Sequence, residues 1–130
     1  MRLLIGGRAQ GKLAHVLEEG AFAPEQVLDG IACKPEDAAC CKVLDHLHLL
    51  VRAMLSEGKS QDDILAWAEN LLKENPEIVI LCDEIGCGIV PAEKADRDWR
   101  ETVGRLCCYL ARRAQKVERL TCGIAVILKG

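Results

Sequence analysis

Met1-Arg2-Leu3-Leu4-Ile5-Gly6-Gly7-Arg8-Ala9-Gln10-Gly11-Lys12-Leu13 opens the chain, and its reading decides the fold. Arg2–Ile5 is a short apolar run that stops at two glycines, as a buried strand does. From Gly11 to about Glu19, Leu13, Val16 and Leu17 recur at helical spacing. The stretch between them fits the pattern G-x-x-x-x-G-K. Glycines let such a loop turn its backbone N–H groups toward phosphate oxygens. The helix that follows offers its positive end, and Lys12 adds a charge for the terminal phosphates. Gly6, Gly7, Arg8, Ala9, Gln10, Gly11, Lys12 and Leu13 are therefore the expected phosphate-binding residues. The position after the lysine departs from the pattern. A hydroxyl there ligates Mg²⁺, and Leu13 has none. Water can take the vacant coordination position, but metal positioning is expected to weaken.

Working outward, Gln26–Ala32 reads as a weaker second strand, and Pro35-Glu36-Asp37 as a turn or helix start. Lys42–His46 reads as a short strand or as the front of a helix. The spacing predicts a helix over Leu47–Glu57, stopped by Gly58, and another after a Ser60 cap that ends before Pro76. Glu77–Cys82 is an uninterrupted apolar run, the mark of a strand covered on both faces. A glycine-punctuated loop, Asp83–Pro91, leads to a long amphipathic helix over Ala92–Lys116, with Trp99, Val103, Leu106 and Leu110 as its apolar stripe. One last strand is expected near Leu120–Leu128. Strands alternating with helices predict an α/β fold, a mainly parallel sheet flanked by helices in a single P-loop-type domain over residues 1–130. Ligands of such sheets bind beyond the carboxyl ends of the strands, where both glycine loops should lie.

Asp83 and Glu84 end the apolar run, where P-loop proteins place the carboxylate that organises Mg²⁺. Solvated loop residues or helix caps would read the same way. Asp45, after Val43-Leu44, is a second candidate for the metal. Lys12, Asp83 and Glu84 are the catalytic candidates, with Asp83 or Asp45 as the metal ligand. His15, His46 and His48 read as surface or packing residues, because a spacing of two sends His46 and His48 to different sides of a helix. The eight cysteines contain no C-x-x-C pair, and most lie inside apolar runs, where Cys behaves as a small hydrophobe. Cys82, Cys87 and Cys122 could still gather near one sheet edge and take a metal or a redox role.

Composition narrows the function class. Half of the 130 residues are hydrophobic but only 3% are aromatic, so the core must be aliphatic. A net charge of −3 argues against a nucleic-acid binder, which needs a basic face. No apolar run is long enough to span a bilayer, and the first residues lack the length and cleavage site of a signal peptide. A cytoplasmic protein is expected.

Asp83-Glu84-Ile85-Gly86-Cys87-Gly88-Ile89-Val90-Pro91 resembles the Asn-Glu-Val-Gly-x-Gly-Ile-Val-Pro signature of the adenosylcobinamide kinase / adenosylcobinamide-phosphate guanylyltransferase family. Arg97, Trp99-Arg100-Glu101, Gly104-Arg105 and Leu110-Ala111 are similar to that family's following helix, and Cys122-Gly123-Ile124 through Leu128-Lys129 to its last strand. Gly6–Lys12 resembles its Gly-Gly-x-x-Ser-Gly-Lys loop, and Leu44–Leu49 is a fainter echo of its Asp-Cys-Leu-Thr-Leu segment. The resemblance covers the start of the chain and most of its second half. It implies a RecA-like P-loop sheet and ATP or GTP with Mg. It also implies a corrinoid alcohol as phosphoryl acceptor, a GMP transfer through a histidine, and a homo-oligomer. By position, Gly6, Gly7, Gly11 and Lys12 would hold phosphates and Glu84 would sit in the nucleotide site. The family's histidine follows the second strand in an Arg-x-x-x-His context. Ile31–Cys41 is shortened and holds neither residue, so the guanylyl-transfer step is left without its nucleophile. Three readings follow: a corrinoid-alcohol kinase, a nucleotide- or corrinoid-binding paralogue without turnover that serves as a sensor or partner subunit, and a thiol or metal protein.

Overall fold

A computed structural model describes residues 1–20, 22–86 and 88–130. Six strands, β1 (Arg2–Gly6), β2 (Val27–Asp29), β3 (Val43–Asp45), β4 (Val79–Asp83), β5 (Lys116–Thr121) and β6 (Ile124–Lys129), form one sheet in the order β2-β3-β4-β1-β5-β6. All neighbours pair in parallel except β5 and β6. The α-helices among the described residues, α1 (Lys12–Gly20), α2 (Leu47–Ser56), α3 (Gln61–Glu74) and α4 (Lys94–Arg113), flank it.

Strand alternation sorts the core into two layers. Leu4, Val43, Val79, Leu81 and Leu120 meet Val16 of α1 on one face. Leu3, Leu44, Ile78, Ile80 and Cys82 face the larger layer, where Leu47, Leu50, Val51 and Met54 of α2, Ile64, Ala68 and Leu71 of α3, and Val103, Leu106 and Leu110 of α4 are buried. The chain leaves β1 toward β2 but leaves β4 toward β5, on opposite sides of the β1–β4 pair. Right-handed crossovers then put α1 and α4 on opposite faces, and a crevice opens between the carboxyl ends of β1 and β4.

Glu118 is a buried charge on the α1 face, 1% exposed. It accepts from Arg2 at 2.5 Å and lies 3.1 Å from Lys116 Nζ. Burial works against its ionised form, but the bonds from Arg2 and Lys116 win and hold its carboxyl below the usual range. Glu118 also forms, with His15 and Glu19, a group of possible metal ligands. Arg2 and Lys116 already neutralise it.

The expected elements shift in instructive places. Lys42–His46 resolves to the strand β3, and the second strand shortens to Val27–Asp29. Pro35 opens a 3-10 turn, Pro35–Cys40, at its first position. Ser60 caps α3 by accepting from the Asp63 N–H at 3.1 Å. The single last strand is instead a hairpin. Cys122 and Gly123, both with positive φ (52° and 75°), make the tight turn that lets β6 fold back antiparallel on β5. Ile124, Val126, Ile127 and Leu128 of β6 stay more than half exposed. Among the described residues, no helix is long and apolar enough to cross a membrane.

Candidate functional site

A cleft of about 650 Å³ opens at the carboxyl end of the sheet. Its floor runs from the Gly7–Gly11 loop after β1, past the end of β4, to the end of β3. Arg8, Ala9, Gln10, Gly11, Lys12 and Leu13 line one side, and Asp83, Glu84 and Asp45 lie across from them. Sheet register brings these residues together: Gly6 pairs with Asp83 across β1 and β4.

The loop takes a conformation that few residues other than glycine allow. Gly11 has φ 88°, and it packs against Gly123 of the hairpin turn, which a Cβ there would just touch at 3.4 Å. The turn clasps the loop, because Gln10 O accepts from Gly123 N at 2.9 Å and Gln10 Oε1 accepts from Cys122 N at 2.6 Å. Lys12 is 7% exposed and its ammonium points inward. It donates to the carbonyls of Gly7 at 2.8 Å and Gly6 at 3.3 Å, and meets Asp83 Oδ1 at 2.6 Å. Leu13 is half-buried against the α1-side core.

Asp83 is the hub of the cleft. Its Oδ2 lies 3.3 Å from His48 Nε2, and its backbone N–H donates to His48 Nδ1 at 3.2 Å. An accepting Nδ1 fixes the tautomer, so the proton of His48 sits on Nε2 and points at Asp83. Burial pushes the His48 pKa below its ordinary value, against the pull of Asp83. Asp45 is also buried, and desolvation raises its pKa despite the neighbouring His46. Glu84, also lining the cleft, is held by the guanidinium of Arg119 at 3.1–3.2 Å.

The glycine loop after β4 is stapled to α4. Arg100 donates to the carbonyls of Ile89 at 2.7 Å and Gly86 at 2.5 Å, while Arg97 donates to those of Pro91 and Ala92. Trp99 closes the cleft beside them, donating from Nε1 to His48 O at 2.7 Å beneath the Arg52 guanidinium. The two arginines thus tie the carbonyls of Gly86, Ile89, Pro91 and Ala92 to α4.

The structure adds residues that the sequence reading left out. His46 and His48 both line the cleft, although a helix would have sent them apart. His46 is not helical: it precedes α2 in the left-handed region (φ 54°, ψ 45°), which swings its ring to the same side as His48. Arg119 and Ile31 also belong to the site region, and neither carried a motif. Of the three cysteines for which a shared sheet edge is left open, Cys82 is buried with its sulfur 3.7 Å from that of Cys107, and Cys122 sits in the exposed hairpin turn. Cys87 lies outside the described residues.

Two carboxylates, Asp83 and Asp45, offer the oxygen ligands that Mg²⁺ takes, and Leu13 offers none. The donor set therefore fits a metal held by carboxylates, water and a ligand's own phosphates.

Comparison with known proteins found no match among curated ones. A family model does match, described as cobinamide kinase / cobinamide phosphate guanyltransferase, over residues 19–128. That span takes in the β3 and β4 ends of the cleft, the Asp83–Pro91 loop and the whole of α4, and begins after the Gly6–Lys12 loop. With most of its length matched, the chain belongs to the cobinamide kinase / cobinamide phosphate guanyltransferase family.

Proposed function

We propose that the protein is a P-loop phosphotransferase of cobalamin biosynthesis, moving the terminal phosphoryl group of ATP or GTP to a hydroxyl of a cobinamide-type corrinoid. The observation that carries this reading is the placement of Lys12. Its ammonium sits at the crevice between β1 and β4, coordinated by the loop's own carbonyls and by Asp83. When phosphates enter, they offer Lys12 a stronger partner than the carbonyls, and the backbone N–H groups of the loop and the first turn of α1 face the same anion. Lys12 then stabilises charge that builds on the transferring group. Asp83, released from Lys12, and Asp45 would hold Mg²⁺, which when bound neutralises the phosphates and orients the terminal one. Glu84, pinned by Arg119, shapes the rim.

The mouth of the cleft suits a large, largely apolar acceptor. Ile31, Leu49 and Ile85 line it, and Ile31 is 63% exposed. No histidine stands at the position where the family carries its nucleotidyl-transfer nucleophile, so the kinase half is the activity we assign. The bare edge and exposed apolar residues of β6 further suit pairing with a second copy of this chain.

The test is transfer of label from γ-labelled ATP or GTP to cobinamide with Mg²⁺. The reading predicts a phosphorylated corrinoid from the wild type and none from Lys12→Ala. Leu13 favours one alternative, a nucleotide-binding paralogue without turnover; nucleotide retained with no labelled product would establish it.

A further inference from the structure

We infer that Gln10 is a positioning residue of the nucleotide site. By gripping the Cys122–Gly123 turn of the β5–β6 hairpin, it holds the phosphate loop in its binding shape before any nucleotide arrives. The inference rests on the nucleotide-binding half of the phosphotransferase reading, and it makes the hairpin turn, near the other end of the chain, a working part of the site.

Register brings the two together. Gly6 ends β1 and pairs with Leu120 of β5. A Cβ on Gly6 would come within 2.6 Å of Leu120 O, so the loop can leave the sheet this close to β5 only with glycine there. The parallel strand β5 carries on past Leu120 in the same direction. Thr121 pairs with Ile124, which leaves Cys122 and Gly123 as a two-residue turn beside the loop. Their φ of 52° and 75° belong to a turn that matches the twist of the strands.

The hydrogen bonds say what the turn does. The N–H groups of the two central residues of such a turn take no part in the ladder and need other acceptors. Both find one in the same residue. Cys122 N–H donates to Gln10 Oε1 at 2.6 Å, and Gly123 N–H donates to Gln10 O at 2.9 Å. The other end of the Gln10 amide, Nε2, lies 3.5 Å from Arg8 O within the loop. Gln10 thus spends its side chain on the turn and on the loop's own backbone.

The loop needs such a hold. Its start is fixed, because Gly6 O accepts from the Glu84 N–H at 2.9 Å and Lys12 Nζ donates to Gly7 O at 2.8 Å. Beyond Gly7 the chain passes through Arg8 and Ala9, both exposed. Ala9 has φ 57° and Gly11 has φ 88°, so the residues on either side of Gln10 are left-handed, a conformation unfavourable for an alanine. Among the described residues, the Gln10 bonds are the hydrogen bonds that tie this half of the loop to another element before α1 begins. A loop ordered in advance loses less freedom when it closes on phosphates, and the difference appears as affinity. Because the Gln10 oxygen is committed to the hairpin, its loss should be felt in nucleotide binding far more than in the transfer step.

The experiment measures the dissociation constants of ATP and GTP with Mg²⁺ by equilibrium titration, and KM and kcat in cobinamide phosphorylation, for wild type, Gln10→Met and Gly123→Val. Met is close to Gln in size and offers only a weak acceptor. Gly123→Val works from the other side of the contact. A Cβ at Gly123 meets nothing within 4 Å, so the strain falls on the turn's left-handed backbone. We expect Gln10→Met to raise the dissociation constant and KM for nucleotide about 10-fold, roughly what one hydrogen bond in the folded loop is worth, and to move kcat far less. Gly123→Val should act in the same direction, although it lies outside the loop. Hydrogen exchange should find the Cys122 amide protected in the wild type and open in Gln10→Met. Wild-type affinity in both variants would overturn the positioning role while leaving the phosphotransferase. A fall in kcat with KM unchanged would overturn it too, by placing Gln10 in the transfer step. A wild type that binds neither nucleotide would overturn both readings. If the wild type binds nucleotide and transfers nothing, the phosphotransferase fails and the titrations still decide the role of Gln10.

Discussion

Leu13 shows how much one side chain can decide. On the proposed phosphotransferase reading it stands at the position of a metal-ligating hydroxyl, and it is half-buried against the α1-side core. Leu13→Ser should lose about 1 kcal/mol of packing yet bind nucleotide with a stronger dependence on Mg²⁺. Thermal unfolding of both proteins with ATP, with and without Mg²⁺, checks this; an unchanged Mg²⁺ effect in the variant would show that the metal takes no ligand from this position. At this scale the sequence was partly legible. The glycine–lysine spacing and Asp83 could be read because their pattern is local, and both were brought to one cleft. His46 and His48 could not. Their grouping depends on a left-handed residue just before α2, a condition not visible in a spacing of two. Arg119 was hidden for a similar reason, since only the pairing of β5 with β1 carries it to Glu84.

Among the elements, the long apolar strand β4 and the amphipathic helices were legible from period and caps, because each buries one continuous face. The C-terminal hairpin was not. Lys116, Glu118 and Arg119 make β5 look like a helix end or a loop, although Val117, Glu118 and Leu120 are buried. A charged residue can sit there because Arg2 on the neighbouring strand neutralises Glu118. The hairpin leaves β6 as a bare edge with Ile124, Val126 and Leu128 on one face of the sheet. An edge of that kind recruits another strand unless a charge blocks it. Val126→Lys should therefore shift the protein toward monomer in light scattering without changing its far-ultraviolet circular dichroism. A wild type that is already monomeric at high concentration would contradict the proposed pairing.

Across the whole molecule, the sheet holds a charge cluster near α1 and the cleft at its carboxyl end. Glu118 titrates lower in the folded chain than in the unfolded one, so its contribution is complete above the ordinary glutamate pKa of 4.5 and is lost as pH falls through the lowered folded value. Glu118→Gln leaves Arg2 and Lys116 without their buried partner and should cost about 3 kcal/mol at pH 7. Urea unfolding should show that gap narrowing below about pH 4.5; a gap that stays constant with pH would mean that the carboxylate charge is not what stabilises the sheet. The central claim concerns the other end of the sheet, where the order of β4 and β1 opens a crevice and Lys12 waits in it. The measurement that tests it most directly is thermal unfolding of the wild type and Lys12→Ala with ATP or GTP and Mg²⁺. A nucleotide at about 100 times its dissociation constant stabilises by about 2.7 kcal/mol, which for a domain of this size is a rise of roughly 5 °C. The account predicts that rise in the wild type and its loss in the variant. A wild type that melts at the same temperature with and without either nucleotide would contradict it.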